Sequence, residues 1–226
     1  MKKIIFILII ITAFPALSKA QVPVWTELGT GANALNANDV IQSICTDSSG
    51  NVYAAGDFTN SSGYYYVAKW NGSNWEEVKS NTSSLNANGQ IRKIIVDNNG
   101  NLYAAGNFTN ASVYQYVAKW DGNVWTELGG TSGPLNANAT ICDLSIDANG
   151  NMYAAGWFTN ANSKFYVAKW NGLAWSELGN LDALNTQAPF YSEGINALCN
   201  DNNGNIYAGG TFVDSSGLYI VKWNGG

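Results

Sequence analysis

The chain has 226 residues, a formal net charge of -5 at neutral pH, three cysteines and no histidine. Without histidine there is no Ser-His-Asp triad, no Cys-His pair and no usual His-rich metal site. An acidic chain with so little arginine also lacks the clustered cations that hold DNA or RNA phosphates.

The first twenty residues read as a secretory leader. Lys2 and Lys3 form a positive start, Ile4 to Leu17 is mostly apolar, and Ser18-Lys19-Ala20 is a small-x-small cleavage site. The apolar run is short of the ~20 residues needed to span a bilayer, so an uncleaved anchor is the weaker alternative. No cysteine stands at the cleavage point to carry a lipid. Cleavage removes three lysines and no acids, which takes the formal charge from -5 to -8 and leaves Arg92 as the only arginine. The expected mature domain is 21–226, secreted or at the cell surface, with no later membrane span.

The rest of the chain repeats. Gly50-Asn51, Gly100-Asn101, Gly150-Asn151 and Gly204-Asn205 are separated by 50, 50 and 54 residues. Each pair is followed by Tyr-Ala and then by Gly56, Gly106, Gly156 or Gly210, with phenylalanine two residues on. Tyr66-Val67-Ala68-Lys69-Trp70 recurs from Tyr116 and Tyr166, and more loosely from Tyr219. Trp25, Trp75, Trp125 and Trp175 are each followed two residues later by glutamate. Counted from Val24, the repeats run 24–73, 74–123, 124–173 and 174–226.

Each repeat offers four short strands rich in β-branched and aromatic residues. In the first they are Val40 to Thr46, Asn51 to Phe58, Tyr64 to Trp70 and Trp75 to Val78. Asp47-Ser48-Ser49-Gly50 and its copies suit a tight turn, since aspartate bonds the backbone two residues on and glycine accepts positive φ. Asn71-Gly72, Asp121-Gly122 and Asn171-Gly172 are strong hairpin signals. A four-residue loop would set Trp70 opposite Trp75; a two-residue loop would not.

Four antiparallel strands per repeat make the blade of a β-propeller, and blades must stack to cover both faces. The expected fold is all-β, a β-propeller of about four four-stranded antiparallel blades. Val24 to Leu28 has the pattern of a fourth strand and is expected to close the last blade, which removes a sheet edge. The rival reading is a piece of a larger propeller. The order apolar-Tyr-x-x-Gly, then Trp-x-x-Leu, resembles kelch and galactose-oxidase-like repeats. The longer pattern, Tyr-Ala-Ala-Gly-x-Phe-Thr and Val-Ala-Lys-Trp-Asn-Gly, resembles repeats of secreted Bacteroidetes proteins. That resemblance implies a propeller; the missing histidines remove the copper ligands of the oxidase, so its activity is not implied.

Catalytic, cofactor and metal residues are all expected to be none. Glu27, Glu77, Glu127 and Glu177 recur once per blade, whereas a catalytic carboxylate pair needs two unlike environments. They read as a solvated face or as partners of Lys69, Lys119, Lys169 and Lys222. The Asp-x-x-Gly-Asn turns read as side-chain-stabilised turns in preference to calcium loops. Cys45, Cys142 and Cys199 read as packing residues, with a Cys45–Cys199 bridge as the alternative. Candidate ligand residues are Asn36, Asn86 and Asn136 of the recurring Leu-Asn-Ala-Asn, together with Trp157, Phe190 and Tyr191, where the repeat breaks. The expected partner is an extracellular glycan or protein, bound by a non-enzymatic module. The alternatives are an adhesive repeat segment and a histidine-free glycosidase or lyase.

Overall fold

A computed structural model describes residues 24–184, 194–211 and 220–224. The expected leader lies outside them. Among the described residues fifteen strands form three four-stranded antiparallel sheets and one three-stranded sheet. Blade one holds β1 (Ile41–Thr46), β2 (Val52–Gly56), β3 (Ala68–Trp70) and β4 (Trp75–Glu77). Blade two holds β5 (Ile91–Val96), β6 (Leu102–Gly106), β7 (Ala118–Trp120) and β8 (Trp125–Glu127). Blade three holds β9 (Ile141–Ile146), β10 (Met152–Gly156), β11 (Ala168–Trp170) and β12 (Trp175–Glu177). Blade four holds β13 (Ile195–Asn200), β14 (Ile206–Gly210) and β15 (Ile220–Trp223). Each sheet keeps chain order, so the second, third and fourth repeats counted from Val24 each begin with the last strand of the preceding sheet.

The turns act as their residues suggest. Asp47 Oδ1 accepts the N–H groups of Ser49 and Asn51, and its Oδ2 accepts from Asn51 Nδ2 and the Tyr53 hydroxyl. Asp97, Asp147 and Asp201 repeat this arrangement. The β3–β4 connection has four residues, so Trp70 faces Trp75 with ring centroids 5.9 Å apart.

The recurring glycine ending each second strand answers to a bulge in the first. Gln42, Arg92, Cys142 and Asn196 are the extra residues, where the register shifts by one. The bulge brings the backbone over the glycine: a Cβ on Gly156 would sit 2.0 Å from the Thr140 carbonyl, and one on Gly56 2.1 Å from that of Val40. Only glycine allows that approach.

Blades stack through their apolar faces. Phe58, Phe108 and Phe158 are fully buried, each edge-on to a tyrosine of its own blade. Between blades, Trp125 Nε1 donates to the Val78 carbonyl at 2.8 Å and Trp175 Nε1 to that of Leu128 at 3.1 Å. The Leu-Asn-Ala-Asn segment is a stitch across the same junction. Ala87 pairs with Tyr65 of blade one, while Asn88 takes the N–H of Thr109 and donates to its hydroxyl in blade two.

Closure of the last blade by the first strand is not what the structure has. Val24 to Glu27 form no strand, Trp25 is fully exposed, and the Leu28 carbonyl accepts from Trp75 Nε1 of blade one at 2.9 Å. Blade four has three strands among the described residues. The faces of β5, β9 and β13 are covered by the preceding blade; that of β1 is open. Ile91 and Ile94 are 0% and 1% exposed, whereas the equivalent Ile41 and Ile44 are 46% and 70% exposed. β1 packs on β5, β5 on β9 and β9 on β13, with no comparable packing between β1 and blade four. The described residues form an open arc of blades.

Candidate functional site

The bulges gather one side chain per blade at the end where the first strand starts and the second ends. The bulge residues are Gln42, Arg92, Cys142 and Asn196, and the residues after the four glycines are Asp57, Asn107, Trp157 and Thr211. The backbone N–H of each of these donates to the carbonyl before the bulged strand, for instance Trp157 to Thr140 at 2.9 Å. This fixes both side chains of each blade at the same rim.

Two relays cross the blades there. Gln90 Oε1 accepts from Asn107 Nδ2 at 3.1 Å, and the Thr140 hydroxyl of blade three donates to Asn107 Oδ1. The Arg92 guanidinium of blade two lies 4.9 Å from the centroid of the Trp157 ring of blade three, a cation–π distance. Trp157 Nε1 donates in turn to Asn196 Oδ1 of blade four at 2.9 Å. In blade one, Gln42 Nε2 donates to Asp57 Oδ2 at 3.2 Å. Two buried polar atoms of this rim have no hydrogen-bond partner among the described residues: Asp57 Oδ1 and Arg92 Nε. A buried donor or acceptor left unmatched is costly, so the rim holds hydrogen-bonding capacity that its own side chains do not use.

The sequence-chosen residues fall on this end in part. Trp157 is at the centre of the longer relay. Asn36, Asn86 and Asn136 are exposed at three separate crossings, and no hydrogen bond joins them to Trp157. They hold φ of 48°, 44° and 47°, a left-handed conformation that asparagine tolerates. Asn36 also donates to the carbonyls of Gly31 and Ala34 at 3.3 Å. Phe190 and Tyr191 lie outside the described residues. Arg92 was missed as a site residue; its signal is that columns 42/92/142/196 and 57/107/157/211 fail to repeat where their neighbours do.

The other repeated polar groups are spoken for. Glu77, Glu127 and Glu177 accept from Asn60, Asn110 and Asn160 at 3.0 to 3.4 Å. The lysines do not reach them, as the sequence suggested, but lie over Tyr53, Tyr103, Tyr153 and Tyr207 at 5.7 to 5.9 Å. Grooves of about 700, 560 and 520 Å³ recur between blades at the opposite end, lined in part by the Asp47, Asp97 and Asp147 hooks. Burial works to raise these carboxyls, but the donors from Asn51, Tyr53 and Ser49, and their equivalents, outweigh it and hold them below the ordinary value. At Asp201 the Asn205 side chain leads and the value falls to about 2. Filled acceptors of this kind leave little for a cation. Cys45 and Cys199 are free thiols, not a bridge; burial pushes Cys45 up to about 12, which keeps it protonated and inert.

No family model and no curated protein matches the chain. Solved structures resemble it in fold. The extracellular domain of a hybrid two-component system of B. thetaiotaomicron is 15% identical with a TM-score of 0.51, over 84% of this chain and 22% of that one. PorZ, a surface component of the type-IX secretion system of Porphyromonas gingivalis, is 18% identical with a TM-score of 0.50, over 86% and 26%. A fucose lectin from Kordia zhangzhouensis is 17% identical with a TM-score of 0.42, over 62% and 98%. The chain spans about a quarter of the length of the first two. With the first two the chain shares a propeller-like all-β fold.

Proposed function

We propose that the chain is a secreted, non-enzymatic binding module that takes an extracellular glycan on the rim around Arg92 and Trp157. One observation carries the reading. The repeats keep the residues that build and stitch blades, and diverge where the bulge side chains meet. That divergence links amide and hydroxyl groups of blades two and three, sets guanidinium, indole and amide groups in contact across blades two to four, and adds a carboxylate–amide pair in blade one. Sugar hydroxyls need donors and acceptors together, and a sugar face needs a ring to lie on. The kelch-like and Bacteroidetes-type readings of the repeat, and the leader, are consistent with this role at the cell surface. Catalysis is no part of it: the recurring glutamates are held by asparagines in one environment per blade.

The test is a glycan array probed with the secreted chain, followed by titration of the best ligand. Arg92→Ala and Trp157→Ala are each expected to weaken binding at least tenfold, about 1.4 kcal/mol, with the unfolding midpoint little changed. Silence across neutral and acidic glycans, or binding indifferent to both substitutions, contradicts the proposal. Turnover of a polysaccharide abolished by one Glu→Gln change would replace it with the hydrolase reading.

A further inference from the structure

The relays of blades two to four spend their acceptors and leave donors over. Gln90 Oε1 accepts from Asn107 Nδ2 at 3.1 Å, Asn107 Oδ1 from the Thr140 hydroxyl, and Asn196 Oδ1 from Trp157 Nε1 at 2.9 Å. Every amide oxygen named there already receives a hydrogen bond. The amide nitrogens of Gln90 and Asn196 and the guanidinium of Arg92 donate to no described residue. The unmatched acceptor of the rim, Asp57 Oδ1, belongs to blade one, outside these relays. Charge shows the same surplus. No carboxylate among the described residues pairs with Arg92, whose guanidinium lies over the Trp157 ring. Lys93, the next residue, is matched: Asp143 of blade three stands 2.7 Å away and takes the Leu198 N–H with its other oxygen. Two adjacent cations on one strand thus differ, one with its counter-charge built in and one without.

Resting on the reading of this rim as a glycan site, we propose that it selects sugars carrying a carboxylate, which the Arg92 guanidinium takes along its edge. An ionised carboxylate only accepts, through two oxygens in one plane, and so matches a site whose spare groups only donate. A neutral sugar brings hydroxyls in its place, and their protons find the amide oxygens of blades two to four already engaged. With one face of the guanidinium against the indole, its edge is the open side, and parallel N–H groups there fit both carboxylate oxygens at once. The Asn196 amide, tied to Trp157 through its oxygen, keeps its N–H groups for ring and hydroxyl oxygens of the same sugar. The chain's formal charge of -5 does not reverse this preference, because charges more than ~8 Å apart are largely screened at physiological salt. The contact with Arg92 is direct and decides the sign.

Calorimetric titration of the secreted chain reads the selection. The probes are fragments of polygalacturonate and hyaluronan, and sialyllactose, each beside its carboxyl-reduced form, with a sulfated neutral oligosaccharide as a further anion. At least one acid is expected to bind, and reducing its carboxyl to an alcohol to weaken it at least about tenfold, since the charge-assisted pair is lost. That comparison uses the unsubstituted chain and needs no variant to fold. Arg92→Gln is expected to bring the acid and its reduced form to equal affinity. Arg92→Lys keeps the charge without the fork and is expected to weaken the acid about tenfold. Reduced forms that bind as well as the acids overturn the proposal. So does binding of the sulfated probe alone, or a preference for the acid that survives Arg92→Gln. A neutral glycan that binds and is lost with Trp157→Ala keeps the rim as the glycan site and overturns the carboxylate alone; silence of every glycan overturns both.

Discussion

Blade one and blade two are built from nearly the same residues and live in different surroundings. Ile41 and Ile44 occupy the positions of Ile91 and Ile94, on strands with the same bulge and the same ladder to the second strand. The second pair is buried because blade one lies over it; the first pair faces solvent. The segments around Trp25 and Trp125 repeat the contrast with identical sequences. A repeat therefore specifies its own hairpins, but its burial comes from the next repeat, which is how stacked arrays divide stability between intrinsic and interface terms.

The comparison is sharpened most by matched substitutions at Trp125 and Trp25. Trp125→Ala is expected to cost about 3–5 kcal/mol in denaturant unfolding, the range for deleting a buried aromatic. Trp25→Ala, with nothing packed on it, is expected to leave the unfolding midpoint unchanged. Equal losses would mean that residues 24–28 are buried.

The glycines give the next contrast. Gly156→Ala drives a Cβ into the Thr140 backbone, whereas at Gly150, with φ of 81°, an added Cβ meets nothing within 4 Å. The first is expected to cost about 3 kcal/mol, at the upper end of overpacking penalties. The second should cost about 1 kcal/mol, for left-handed strain alone. Thermal melts of the two variants test the bulge directly.

Asp147→Ala removes an acceptor of four hydrogen bonds and is expected to cost about 2 kcal/mol. The pH dependence follows from the same hooks. Their folded values lie below the unfolded value of ~3.9. Their contribution is therefore complete above about pH 4 and fades as pH falls through the folded values, near 2 for Asp201. The melting temperature of the unsubstituted chain should fall between pH 4 and pH 2, and less steeply in Asp147→Ala.

Much of the blade was legible because it is local. Asp47 and Gly50 name their turn, and Asn71-Gly72 names a hairpin whose four-residue length then sets Trp70 against Trp75. The purpose of Gly156 was not legible: its reason is a bulge in a strand paired across the turn, centred on Cys142. Nor could the pattern say where Val24 to Leu28 pairs. Its residues mark a fourth strand, but its partner depends on the rotation from blade to blade, which no periodicity in the sequence records. The site was half legible. Trp157 broke its column visibly, while Arg92 gained its meaning only when stacking brought blade two beside blade three. Asn36, Asn86 and Asn136 recurred for backbone geometry, beside the Asn38, Asn88 and Asn138 that grip a threonine in each blade.

The central claim is that each blade's buried face is made by its neighbour and that, among the described residues, none covers the face of blade one. It is tested most directly by the unfolding free energies of Ile94→Ala and Ile44→Ala. The account predicts a loss of about 2–5 kcal/mol for the first and under about 1 kcal/mol for the second. Equal losses at the two positions would contradict it.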